Sequence, residues 1–244
     1  MELVHGFILK KNIIGEDNLS ILFFTKEVGK ISVFVPHGKK SKRRFMGKLE
    51  LLKELELKIH ETKNKNLILE EAKVINDHTA LSRKLDKFFS YCYCLELIDR
   101  TVQFFQRESN LYLLLKKYLS YIEEHNSLVS TIRFQNSFLK LVGWYPELSR
   151  CNLCKRKTTE LKVDIYLLPE FNGIVCKNCY NKDRINRVSL EEVEFLLNPK
   201  DNLDRDKGLN LFYVLNNFIE FHLERELSTF KITYECLKKV RDDT

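Results

Sequence analysis

The sequence predicts an α+β protein: a small five-stranded β-barrel over residues 1–77, then an α-helical domain over residues 78–244 carrying a four-cysteine insert at about 149–182. Three observations carry this. Short runs of alternating or β-branched residues fill the first 75 or so positions, with no early helical spacing. Beyond Asp77 the apolar residues recur at helical intervals. Two C-x-x-C pairs then fall in a stretch that lacks that periodicity.

The first strand is read from Val4, Gly6 and Ile8 alternating with His5, Phe7 and Leu9. Leu19 to Phe24 is a compact apolar run of the residue types that favour strands. Thr25-Lys26-Glu27-Val28-Gly29 reads as a turn, with Gly29 free to take positive φ. Ile31, Val33 and Val35 define a third strand. Leu55, Leu57 and Ile59 alternate with Glu54, Glu56 and Lys58, the pattern of a strand with one wet face. Leu67 to Ile75 is the fifth. The OB-fold is the five-stranded member of the small-barrel class.

A first helix is expected from Ala80 to Phe105, with Leu81, Leu85, Phe88, Phe89, Cys92, Leu95, Ile98 and Val102 at helical spacing. Leu111 to Ile122 is a second, with Ser109 or Asn110 as cap. Ser127 to Val142 is a third, stopped by Gly143 and Pro146. Trp144 to about Val188 is non-helical. Ser189-Leu190-Glu191-Glu192 is a capping box that opens a short helix. Leu209 to Leu227 reads as the last long helix.

Of 244 residues, 44% are hydrophobic and 31% charged, which excludes disorder as the main state. No apolar run approaches the roughly 18 residues of a membrane span. Met1-Glu2-Leu3-Val4-His5 lacks the basic start and apolar core of a secretory signal, so a cytoplasmic protein without membrane partners is expected. The net charge of +7 suits an anionic partner, although lysine-rich, AT-biased coding would produce the same balance. The odd count of seven cysteines argues against a disulfide framework.

Cys151, Cys154, Cys176 and Cys179 form the two C-x-x-C pairs, separated by 21 residues. Each pair can wrap a tight turn around one ion, and two such knuckles complete a tetrahedral four-thiolate shell. Zinc is the metal expected, one per chain. With four protein ligands no position stays open, so the metal is structural and its binding energy becomes folding energy of the insert. The alternative is an empty knuckle whose cysteines merely pack.

Six cations and no acid lie between Lys39 and Lys48: Lys39, Lys40, Lys42, Arg43, Arg44 and Lys48. The segment links the third and fourth strands. Such a loop suits a phosphate backbone, with strongly salt-dependent binding. The alternative is a solvated surface loop. Phe45, Phe34 or Phe7 could stack on bases, or fill the barrel. H-E-x-x-H, the nucleotide-binding glycine loops and G-x-S-x-G are all missing, so no enzymatic activity is expected. Glu70-Glu71 and Asp201 to Asp206 are the acidic clusters a nuclease reading would need, and both read as solvated faces or turns.

Three stretches resemble the bacterial RecO recombination mediator family. Gly6 to Lys10, Leu22 to Ile31 and the cationic Gly38 to Arg44 loop are similar to its N-terminal OB-fold. Phe138 to Leu148, running into Cys151 and Cys154, resembles its junction of helix, Gly-aromatic-Pro and first knuckle. Phe221 to Lys231 resembles its closing helix and Ser-x-x-Lys tail. Lys155 and Asn172-Gly173 stand where the family often has a Gly and a Gly-Gly. The resemblance implies a non-catalytic protein that binds single- and double-stranded DNA and anneals complementary strands. It also implies action with RecR to help RecA replace single-strand binding protein (SSB), and contact with the SSB C-terminal tail. An OB-fold RNA-binding factor with a zinc knuckle is the alternative.

Overall fold

The computed structural model describes residues 2–41, 44–180 and 185–240. The chain forms two compact units, residues 1–123 and 124–244.

In the first unit, β1 (Glu2–Ile14), β2 (Asn18–Thr25), β3 (Gly29–Val35), β4 (Lys53–Glu61) and β5 (Leu67–Asp77) close a barrel in the order β1-β2-β3-β5-β4. All pairs are antiparallel except β3–β5, which meet in parallel at Phe34 and Ile68. Ile8, Ile21, Phe23, Val33, Leu55, Leu57 and Leu69 fill the interior. A register shift between Ile8 and Lys10 lets β1 bend around that core. Phe7 and Phe24, cross-strand partners on the outer face, are also buried. Their rings pack 5.1 and 5.9 Å from Tyr112 of α2 (Ser109–Glu124), which covers that patch of barrel.

The expected 80–105 helix is shorter than the spacing predicts. A single-turn helix, Thr79–Arg83, precedes α1 (Leu85–Thr101), and the chain leaves helical geometry at Val102. Leu85 is exposed, whereas Tyr91, Cys94 and Lys87 are buried. Leu81, Leu95, Ile98 and Val102 of the expected stripe are buried; because α1 is covered on further sides as well, apolar spacing marks only part of its buried surface. Lys87 is satisfied by donating to the Ile122 and Glu123 carbonyls at the end of α2, a favourable place for a cation.

In the second unit, α3 (Ser127–Leu141) is capped by Asn126, whose Oδ1 accepts from the Leu128 and Val129 amides at 2.9 and 3.1 Å. Gly143 follows at φ 78°. The stretch read as merely non-helical holds a small sheet, β7-β6-β8, from β6 (Ile165–Leu168), β7 (Gly173–Cys176) and β8 (Arg187–Val188). Strands of two to four residues are too short for period-two spacing to register. The Ser189–Glu192 capping box opens α4 (Leu190–Leu197) as expected.

The last helix differs from expectation. α5 (Arg205–Leu223) starts earlier, on an Asp204 cap, and stops where Glu224 turns left-handed. A further helix, α6 (Phe230–Lys239), folds back so that Phe230 packs 5.6 Å from Phe212. Among the described residues no helix is long and apolar enough to cross a membrane.

Candidate metal centre and nucleic-acid interface

The four predicted cysteines converge. The Sγ atoms of Cys151, Cys154, Cys176 and Cys179 all lie within 4.8 Å of one another. The first knuckle is a tight hairpin: the Cys151 amide donates to Arg156 O, the Lys155 amide returns to Cys151 O, both at 2.9 Å, and Lys155 takes φ 63°. The second knuckle follows directly from the end of β7. There the Cys179 and Tyr180 amides donate to Cys176 O at 2.9 and 3.1 Å. Gly173 brings the two together by pairing with Glu147; a Cβ there would lie 2.4 Å from Glu147 O.

This geometry fits a tetrahedral metal. Zn–S bonds near ~2.3 Å demand sulfur–sulfur edges of roughly 3.8 Å, and Cys154 and Cys176 stand 3.9 Å apart. The electrostatics point the same way. Burial raises the Cys151 thiol, but the backbone amides of Cys154, Cys176 and Leu153 outweigh it and bring it to about 6. Hydrogen bonding with the Cys176 side chain and burial push Cys179 up to about 12. Four adjacent thiols cannot all ionise unless a cation balances them. Lys177 beside the knuckle is paired with Asp164 at 3.5 Å.

The basic loop joins β3 to β4. Phe45 and Leu49 anchor it in the barrel core, each 3% exposed. Ser41 Oγ accepts from the Arg44 and Phe45 amides at 3.2 and 3.3 Å, and the Lys39 amide donates to Asp17 O at 2.9 Å. Lys39, Lys40 and Arg44 are exposed and Lys48 is half-buried. Lys42 and Arg43 lie outside the described residues.

Lys39 and Lys40 line one groove of about 750 Å³ with Lys11, Ile13 and Met46. Arg44 and Lys48 are not among its walls; Arg44 lies over the Phe45 ring at 5.0 Å. Two cations carry acidic partners: Lys40 pairs with Asp17 at 2.6 Å and Lys11 with Glu50 at 2.9 Å. Phe45 and Phe7 are core residues and offer no stacking surface, while Phe34 is half-buried. Sequence reasoning missed Lys11, Ile13 and Met46. The signal for Lys11 was Lys10-Lys11 following the β1 register shift, which a strict alternation obscures.

The acidic clusters have structural partners. Lys58 lies 3.7 Å from Glu70 and 3.2 Å from Glu71. Asp201 pairs with Arg133 at 2.6 Å, and Asp204 caps α5.

Residues 1–77 match the family described as "Recombination protein O N terminal", and residues 82–229 match "Recombination protein O C terminal". The chain is 26% identical to the DNA repair protein RecO of Thermoanaerobacter sp. (strain X514), over 92% of this chain and 93% of that protein. It is 25% identical to that of Syntrophus aciditrophicus (strain SB), over 94% of each. Identity to that of Myxococcus xanthus (strain DK1622) is 27%, over 88% of this chain and 89% of the relative. A closed five-stranded barrel, a helical region and a clustered cysteine quartet, all within two matched segments that span most of the sequence, lead to one assignment: the chain belongs to the RecO family of recombinational DNA repair proteins.

Proposed function

We propose that this protein is a non-catalytic recombination mediator that binds single- and double-stranded DNA, anneals complementary strands and, with RecR, helps RecA load onto SSB-coated DNA. The observation that carries the reading is the groove at the barrel loop, where Lys39, Lys40 and Lys11 surround exposed Ile13 and Met46. Cations there neutralise phosphates and release counterions without reading sequence. Two strands held close with their repulsion screened can then pair by themselves.

Lys39, Lys40, Lys42, Arg43, Arg44 and Lys48 are the phosphate-binding set, and residues 1–77 are the DNA-binding domain. The region from 78 to 244 is the scaffold and partner surface, including contact with the SSB C-terminal tail and RecR. One zinc ion, held by Cys151, Cys154, Cys176 and Cys179, keeps the insert folded and takes no part in chemistry. The protein acts in the cytoplasm, on the nucleoid.

The test is annealing of complementary strands already coated with cognate SSB. Acceleration that fades when the SSB tail is deleted is the expected result. Coated strands that stay apart, with RNA bound tightly instead, would overturn the mediator reading.

A further inference from the structure

A second groove on the barrel unit shares no lining residue with the loop groove. Along β2 and β3, Ser20 stands opposite Phe34 and Leu22 opposite Ser32. Their neighbours Ile21 and Val33 fill the interior, so these four face outward. The residues after α1 run onto the edge of this face. Phe104 forms a parallel bridge with Lys30, and the Phe105 amide donates to Lys30 O at 3.0 Å.

Both rings are left bare: Phe104 is 54% and Phe105 68% exposed. Phe105 has φ 59°, a left-handed conformation costly for a residue with a ring. Gly29 at φ 77° is fitted to the same segment, since a Cβ there would lie 1.9 Å from Gln106 O. The Lys30 ammonium, paired with Asp99 at 3.1 Å, sits 5.1 Å from the Phe104 ring centre and fixes it from one side. Two exposed aromatic rings, one of them on left-handed backbone, are not what solubility or core packing would select.

We propose that Phe34, Phe104 and Phe105 form a base-stacking ledge for single-stranded DNA, with Lys65 at its end meeting a phosphate. The ledge rests on the DNA-binding reading above and deepens it, carrying the DNA surface past residue 77 to Phe104 and Phe105, which belong to the same compact unit as the barrel. The three rings share a groove of about 630 Å³ with Ile14, Ser20 and Ser32. Among the described residues lining it Lys65 is the one charged side chain, and no carboxylate is among them. Ring faces accept any base, and the serine hydroxyls can donate or accept, so the ledge is sequence-tolerant. Duplex bases are already stacked and gain nothing there. The ledge therefore separates single from double strands, which the cationic loop alone does not.

The experiment uses the full chain and fluorescence anisotropy with an oligothymidylate and a duplex of equal length. Phe104→Leu with Phe105→Leu keeps apolar bulk but removes the rings; Phe104→Tyr with Phe105→Tyr keeps them. The leucine pair is expected to bind the single strand about 5- to 30-fold more weakly. Duplex affinity and the salt slope of single-strand binding stay as in the wild type, and the tyrosine pair restores binding. Phe34→Leu, which leaves the 102–106 segment untouched, is a second reading should the pair unfold. Equal loss on both DNAs, or no loss in the leucine pair and in Phe34→Leu, overturns the ledge while leaving the DNA-binding reading intact. Failure of the wild type to bind single strands removes both. Unchanged DNA binding together with loss of a protein partner would assign the rings to that partner.

Discussion

The Glu54 carboxylate of β4 accepts a hydrogen bond from the Tyr112 hydroxyl of α2 at 2.8 Å, in a site where Glu54 is 2% exposed. The Asn76 amide donates to the same carboxylate, and Lys116 closes on it at 2.9 Å. Burial alone would raise the Glu54 pKa. Lys116, Tyr112 and Asn76 outweigh it and hold the carboxyl below its ordinary value of 4.5. A folded pKa below the unfolded one gives stabilisation that is complete above the unfolded value and lost as pH falls through the folded one. Thermal stability is therefore expected to decline as the pH falls below about 4.5, with a shallower decline in Glu54→Gln. Tyr112→Phe leaves the buried carboxylate one donor short, at a cost of about 1–3 kcal/mol in urea unfolding. An acid profile identical in Glu54→Gln and wild type would remove Glu54 from the transition.

The basic loop predicts a specific salt dependence. Each single-strand phosphate neutralised contributes about −0.7 to the slope of log K against log salt. Lys39→Ala with Lys40→Ala and Arg44→Ala is expected to weaken binding and flatten that slope by up to about two units. The anchors Phe45 and Leu49 stay in place, so the melting temperature should hold. Lys40 already has Asp17 at 2.6 Å, so Lys40→Ala alone should cost less than Lys39→Ala. A slope unchanged in the triple variant would dissociate the loop from DNA.

The sequence made the barrel legible because alternating or β-branched runs mark its strands, even though register shifts in β1 and between β4 and β5 break the strict period. The cysteine quartet was legible because knuckle spacing is a local constraint. Features set by long-range contact were not. Nothing near Phe105 states that the chain will leave α1 and lay two rings on β3, since the cause is the backbone of Lys30. Phe7 looked like a core strand residue, and it is buried, yet what covers it is Tyr112, over one hundred positions away. The break between α5 and α6 lacks the glycine or proline that usually marks one; Glu224 itself turns left-handed.

The cysteine cluster predicts metal content and a stability that depends on it. The purified chain is expected to carry one zinc, and strong chelation should lower its melting temperature without altering the barrel's circular dichroism contribution. Cys176→Ser sits at the end of β7, where Cys176 is buried and its amide donates to Cys151 Sγ at 3.4 Å. Loss of that ligand should release the metal and destabilise the second unit, lowering yield of folded protein. Cys236→Ser, far in sequence from the quartet, should keep the metal. Full stability after complete zinc removal would refute a structural role.

Gly29 and Gly15 offer a matched pair for the strained edge. Both have positive φ, 77° and 62°, so alanine at either pays the left-handed penalty of about 1 kcal/mol. Around Gly15 nothing lies within 4 Å of an added Cβ. At Gly29 the added Cβ would meet Gln106 O at 1.9 Å and Gln106 C at 2.5 Å, both backbone atoms that cannot rotate away. Gly29→Ala should therefore cost clearly more than Gly15→Ala, and the excess measures how firmly residues 102–106 are docked on β3. Hydrogen exchange locates it: the Phe105 amide, bonded to Lys30 O, should lose protection in Gly29→Ala and keep it in Gly15→Ala. Equal costs and equal protection in the two variants would mean that the segment is only loosely held, and that Phe104 and Phe105 are not a preformed surface.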